Sequence, residues 1–147
     1  SILCKMTNNN WTLDVWGVEN LESFDNKIHC RGGYTSNQLF EVYSEMDVLI
    51  LPSIWKETFG FVVLEALSYG VPVIVSGNVG AKDIVKEYDE SFVFNSVDEL
   101  IVLLNELLNS KEKLSNYNKK INELAWRYSL DKHVNIMNQL YNEILSR

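Results

Sequence analysis

The sequence predicts an α/β fold built on a doubly wound parallel sheet, with a helical C-terminus. Three observations carry this. Strand-like and helix-like segments alternate up to residue 95, which is the pattern of a parallel sheet with crossover helices. Segment 47–51 is apolar without alternation, as strands covered on both faces are. From Ser96 onward, leucines and other apolar residues recur at helical spacing.

Taken in order, residues 11–16 read as a strand. Residues 27–31 read as a second, ended by Gly32 and Gly33. Residues 35–46 read as a helix, with Leu39, Phe40, Tyr43 and Met46 on one face and capping-box spacing between Thr35 and Gln38. The buried strand 47–51 follows, then a helix over 59–69 and a strand over 72–75. A short helix at 80–87 and a short strand at 92–94 close the alternation. Ser96 and Glu99 form another capping box, ahead of Leu100, Leu103, Leu104, Leu107 and Leu108. Two more stripes follow: Leu114, Tyr117, Ile121, Leu124 and Tyr128, then Leu130, Val134, Met137, Tyr141 and Ile144. Each spans too few heptads for a coiled coil, so both are expected to pack on a sheet face.

Composition narrows the function. The 147 residues suffice for one domain, expected to span 1–147. With 46% hydrophobic and 22% charged residues, the chain is globular rather than disordered. A net charge of −7 argues against nucleic-acid binding, which wants a basic face. It leaves room for an anionic small ligand, because a helix N-terminus and a cation or two suffice locally. Cys4 and Cys30 have no metal-binding spacing and read as buried thiols of a reducing compartment. No apolar run reaches the length of a membrane span, and no signal peptide is visible. His29 and His133 have no partner pattern and read as structural. The absence of a G-x-G-x-x-G motif weighs against a dinucleotide oxidoreductase.

The most informative stretch runs from Trp55 to Gly70. It places one carboxylate, Glu65, in an almost unbroken apolar run. A helix apolar all round is expected to be buried, and a buried charge is expensive unless paired or hydrogen-bonded. No cation lies within a helical turn of Glu65 in sequence. Glu65 therefore reads as a ligand-facing carboxylate; the bland alternative is pairing with a distant Lys or Arg. Glu57 sits eight positions earlier, before Phe59 and Gly60 open the helix. Amides of a first helical turn lack intrahelical partners and, with the helix dipole, make an anion site. Gly60 would let a ligand approach the backbone closely.

This stretch resembles the donor-binding motif of retaining GT-B glycosyltransferases, in particular glycosyltransferase family 4. Glu57 and Glu65 fill its two acidic positions, and Phe59, Gly60, Ala66, Gly70, Pro72 and Val73 also match. Segments 10–17, 31–34, 39–48 and 128–134 are similar to other parts of the same domain. The resemblance implies a Rossmann-like half of a GT-B fold, the C-terminal donor-binding domain. Residues 1–7 look like only the tail of its first helix, so the first strand is expected to be missing from the chain.

The resemblance also implies roles. Glu57 contacts the transferred sugar and is the catalytic candidate, against a solvated glutamate complementing the helix dipole. The amides of Phe59, Gly60, Phe61 and Val62 face sugar and diphosphate, and Glu65 grips the ribose. Gly33 and Tyr34 lie near the base. Lys56 and Lys82 flank the site as candidate charges for the phosphates, although surface lysines are usually only solvated. The family's loop after the next strand usually carries two glycines and then Glu; here it has Val79, Gly80 and Asp83.

The expected function is binding the UDP-, GDP- or ADP-sugar donor of a hexosyltransferase-type retaining enzyme of polysaccharide or glycoconjugate biosynthesis. No metal or other cofactor is expected. The acceptor-binding N-terminal domain would be the partner, and the chain would transfer little alone. The expected location is cytoplasmic, with peripheral membrane association open to the full enzyme. Two alternatives stay open: an epimerase-like enzyme of the same architecture, and a non-catalytic binding or assembly module.

Overall fold

The computed structural model describes residues 5–20, 25–125 and 129–146. Cys4 and Tyr128 lie outside these residues, as do residues 1–4 of the segment likened to a helix tail.

Among the described residues there are five strands, helices intervene between the second and third, the third and fourth, and the fourth and fifth, and every strand pair is parallel. The α/β class read from the sequence holds. Pairing divides the strands into two groups. β1 (Leu13–Trp16) pairs with β2 (Ile28–Gly32), and β3 (Leu49–Leu51), β4 (Val73–Ser76) and β5 (Val93–Phe94) pair in the order β3-β4-β5. β4 is the central strand of the second group and is buried along its whole length. That burial on both faces explains its unbroken apolar sequence.

Helix α1 (Leu39–Ser44) follows a 3₁₀ turn over Ser36–Gln38. The Thr35 amide donates to Gln38 Oε1 at 3.0 Å, the expected side chain-to-backbone half of the box. Helix α2 (Phe61–Ser68) buries Val63, Ala66 and Leu67, but Phe61 is 73% exposed. It is therefore a half-buried helix, not the fully buried one its apolar sequence suggested.

Helix α3 (Lys82–Lys86) leads through a 3₁₀ turn to β5. Helix α4 (Val97–Asn109) starts at Ser96, whose Oγ accepts the Glu99 amide. The Glu99 carboxylate bonds the Asn95 amide at 2.7 Å, one residue before the box position. Along α4 lies the described N-terminal segment, with Thr7 bonded to Asn105 and Lys5 to Asp98.

Core packing centres on β4, α2, α3 and α4, with Ile121 of α5 (Lys111–Ala125) fully buried among them. Leu114, Tyr117 and Ile121 of the first stripe thus join the core, but α5 packs against α2 and α4 rather than on a sheet face. The second stripe does not join it: α6 (Leu130–Leu145) has no buried residue, and Leu130, Val134, Tyr141 and Ile144 are exposed. Among the described residues nothing buries its apolar face, so the sheet-packing expectation is not met for α6 there.

Cys30 is exposed, its thiol directed at the Val18 carbonyl. The expectation of a buried thiol is corrected, because β2 turns that position outward.

Candidate functional site

In a parallel sheet the loops after the strands gather at one edge, where ligands of open α/β sheets bind. Three such loops frame the site: they carry Gly33, Tyr34, Lys56, Glu57, Phe59 and Gly60, while Phe61, Val62 and Glu65 stand on α2 and Lys82 on α3. Gly33 and Tyr34 follow β2, residues 52–60 follow β3, and residues 77–81 follow β4.

The loop after β3 is fastened at several points. The Ser53 carbonyl accepts from Ser76 Oγ at 2.6 Å and Asn78 Nδ2 at 3.2 Å, and the Ile54 carbonyl accepts from the same Asn78 amide. Glu57 pairs through its backbone with the β4 loop: its amide donates to the Asn78 carbonyl, and its carbonyl accepts the Gly80 amide. Gly80 is required here, because a Cβ would fall on the Thr58 carbonyl. Gly80 thus serves close contact between the two loops.

Glu57 is half-buried, and Ser53 Oγ donates to its Oε2 at 2.7 Å. A carboxylate has further lone pairs to offer, so Ser53 holds the group while leaving acceptor capacity. Sequence reasoning missed Ser53 and Asn78; the Ser53–Glu57 spacing is common in loops and gives no signal by itself. Residues 52–57, Trp55 and Lys56 among them, line an open cleft of about 470 Å³. Lys56 is exposed. Lys82 is differently placed: its ammonium donates to the Gly77 carbonyl at 2.7 Å and braces the β4 loop.

At the mouth of α2, Gly60 adopts φ +90°. Its missing side chain makes room for Leu51 and Val79, each 3.2 Å from where a Cβ would stand. Packing and backbone conformation therefore demand the glycine. Among the described residues, no protein group accepts the amides of Phe59, Gly60, Phe61 or Val62; the first amide of this helix to be satisfied is Val63, by Gly60. The rings of Phe59 and Phe61 lie 5.3 Å apart beside this mouth.

Glu65 is half-buried on α2, and no ion pair to it occurs among the described residues. Its partner is the Tyr43 hydroxyl, which donates to Oε2 at 2.9 Å. Tyr43 is 2% exposed, stacks on Tyr69 at 5.4 Å and meets the Tyr34 hydroxyl at 3.2 Å. Tyr34 in turn packs edge-on against Trp16. The fold thereby joins Tyr34 to Glu65 through a residue that the sequence offered only as one apolar position of α1. Burial first, then the bonds to Tyr34 and Glu65, raises the Tyr43 pKa far above the usual phenol value. Tyr43 stays a hydrogen-bond donor.

His29 does have a partner. Its Nδ1 lies 3.0 Å from Asp14 Oδ1, and Arg31 bonds both oxygens of the same carboxylate. This cluster ties β1 to β2 and fits the structural role expected of His29. Among the described residues, no group of His, Cys, Asp or Glu side chains could hold a metal ion. No helix there is long and apolar enough to cross a membrane.

The parallel α/β frame brings Glu57, Glu65 and the four open amides together towards the C-terminal edge of the strands, where ligands of open α/β sheets bind. The chain belongs to the glycosyl transferases group 1 family, which matches residues 2–124. It is 34% identical over 102 residues to a sulfoquinovosyl transferase of Arabidopsis thaliana, covering 66% of this chain and 20% of that protein. A glycogen synthase of Clostridium botulinum (strain Alaska E43 / Type E3) is 29% identical over 130 residues, covering 80% of this chain and 27% of the relative. A GDP-Man:Man(3)GlcNAc(2)-PP-Dol alpha-1,2-mannosyltransferase of Dictyostelium discoideum is 29% identical over 108 residues, 73% of this chain and 21% of the relative. The chain thus spans only 20–27% of the length of these relatives. WaaG, a glycosyltransferase involved in lipopolysaccharide biosynthesis, superposes with a TM-score of 0.63 at 21% identity, over 71% of this chain and 28% of WaaG. That likeness bears out the GT-B fold class.

Proposed function

We propose that this domain binds the nucleotide-sugar donor of a retaining glycosyltransferase of family 4 type. The observation that carries the reading is the α2 mouth: four amides without a protein acceptor, flanked by Glu57 and Glu65, both half-buried and neither ion-paired among the described residues. An anionic diphosphate suits the amides and the dipole. Hydroxyl-rich groups suit the carboxylates on either side, the transferred sugar at Glu57 and the ribose at Glu65.

Chemistry at such a site works by positioning and electrostatics. As the donor's glycosidic bond to phosphate breaks, negative charge grows on the leaving diphosphate. Preorganised amides stabilise that charge more than the ground state. Glu57 orients the sugar, and Lys56, its neighbour in the loop, adds charge to the phosphates. No metal is needed in this scheme. The acceptor hydroxyl comes from a second, acceptor-binding domain of the longer enzyme, so this chain alone binds donor weakly and transfers little. Glu65 bonded to a tyrosine hydroxyl, rather than to a protein cation, favours this reading over a non-catalytic module.

The test is an NMR titration of the folded chain with UDP, GDP and ADP. Saturable shifts centred on Gly60 and Glu65, lost in Glu65→Ala, are expected for one base. Absence of shifts with all three would refute the reading.

A further inference from the structure

The donor reading assigns Glu65 a ligand but leaves unexplained why its side chain is held by a buried phenol. Tyr43 has one hydroxyl proton. A carboxylate can only accept, so that proton goes to Glu65 Oε2, 2.9 Å away. The contact between the Tyr43 and Tyr34 oxygens, 3.2 Å, must then be a bond donated by Tyr34. The result is a directed chain, Tyr34 to Tyr43 to Glu65. It links the loop after β2 to a carboxylate on α2, across residues 22 and 9 positions apart in sequence. Each bond polarises the next.

The ring of Tyr43 is fixed independently of its hydroxyl. It is 2% exposed, stacked on Tyr69 with planes 10° apart, and edge-on to Tyr34. Its oxygen is therefore a stationary donor. A stationary donor on Oε2 fixes the carboxylate's rotation and presents Oε1 in one direction.

Resting on the donor reading, we infer that Tyr43 is a positioning residue that sets the selectivity of Glu65 for ribose, with Tyr34 as the outer link of the same chain. Tyr43 does not touch the ligand. It acts by aiming the carboxylate that accepts from the ribose hydroxyls. Loss of its hydroxyl frees Glu65 to rotate and leaves Tyr34 without its acceptor, while the stacked ring remains.

The test compares affinities of the chain for UDP, GDP and ADP with those for their 2′-deoxy and 3′-deoxy counterparts, by NMR titration or calorimetry. Tyr43→Phe keeps the ring and is expected to narrow the ribo-over-deoxy preference by about tenfold. Deoxynucleotide affinity should stay near the wild-type value. Tyr34→Phe, which leaves the Glu65 bond in place, should narrow the preference in the same direction by a smaller factor. It serves as the second variant should Tyr43→Phe fail to fold. Equal weakening of ribo and deoxy ligands, or an unchanged preference in both variants, overturns the positioning role. If Glu65→Gln abolishes the preference while the tyrosine variants keep it, the donor reading stands and only this inference fails. If the wild-type chain binds none of the ribonucleotides, the donor reading itself fails.

Discussion

Gly60→Ala tests the geometry of the helix mouth most directly. Gly60 sits at φ +90°, where an L side chain is strained by about 1–2 kcal/mol. Its Cβ would also stand 3.2 Å from Leu51 Cδ2 and 3.2 Å from Val79 Cγ1, both in well-packed surroundings. Such crowding adds about 1–2 kcal/mol. The sum, about 2–4 kcal/mol, corresponds to a Tm lowered by roughly 5–15 °C for a domain of this size. Two further glycines separate the contributions. Gly17 has φ +81° but open space around its Cβ position, so Gly17→Ala should cost only the backbone part. Gly33 has neither positive φ nor a neighbour within 4 Å, so Gly33→Ala should be close to neutral. Urea unfolding of the three variants gives the ranking. Equal losses in Gly60→Ala and Gly17→Ala would refute the crowding; a Gly60→Ala protein as stable as wild type would refute the backbone conformation as well.

Ser53→Ala removes the donor that holds Glu57, and should weaken binding of a nucleotide-sugar about fivefold while leaving the free nucleotide unaffected, as calorimetry would show. Tyr88→Phe leaves the buried Val73 amide and carbonyl without the phenol that bonds both, and should lower unfolding free energy by about 1–3 kcal/mol in urea titrations. For Asp14, burial raises the pKa, but the bonds from Arg31 and His29 outweigh it and hold the group below its ordinary 3.8. A carboxylate with a lowered folded pKa contributes stability above its unfolded value, lost as pH falls through the folded one. Acid unfolding below about pH 3.8 should therefore carry a component that Asp14→Asn lacks. Deleting residues 130–146 removes a helix none of whose own residues is buried, and should leave the melting temperature of the remainder within a few degrees of the starting protein.

The parallel α/β class could be read before any coordinates, because alternation, unbroken apolar strands and capping serines are local signals. Ser96 caps α4 through a bond to the amide three residues on, set by chain geometry alone. The Glu57–Glu65 motif was likewise visible in one continuous segment. Periodicity also identified the apolar face of α6 correctly, yet it gave no information on what meets that face. Among the described residues the packing predicted there does not occur, while the same kind of stripe in α5 buries Ile121 completely.

What only the tertiary structure decided lies in contacts between distant segments. The phenol of Tyr43 reaches Glu65 because α1 and α2 stand side by side, and Tyr34 joins them because the β2 loop turns over the same place. Gly80 is obligatory only because the Thr58 carbonyl arrives beside it, and Lys82 is committed to a carbonyl five residues away. A sequence dictates which groups are polar, apolar or stiff within a few residues of each other. Where a carboxylate finds its hydrogen-bond donor, and hence how it can be aimed at a ligand, depends on the free energy of packing whole elements together.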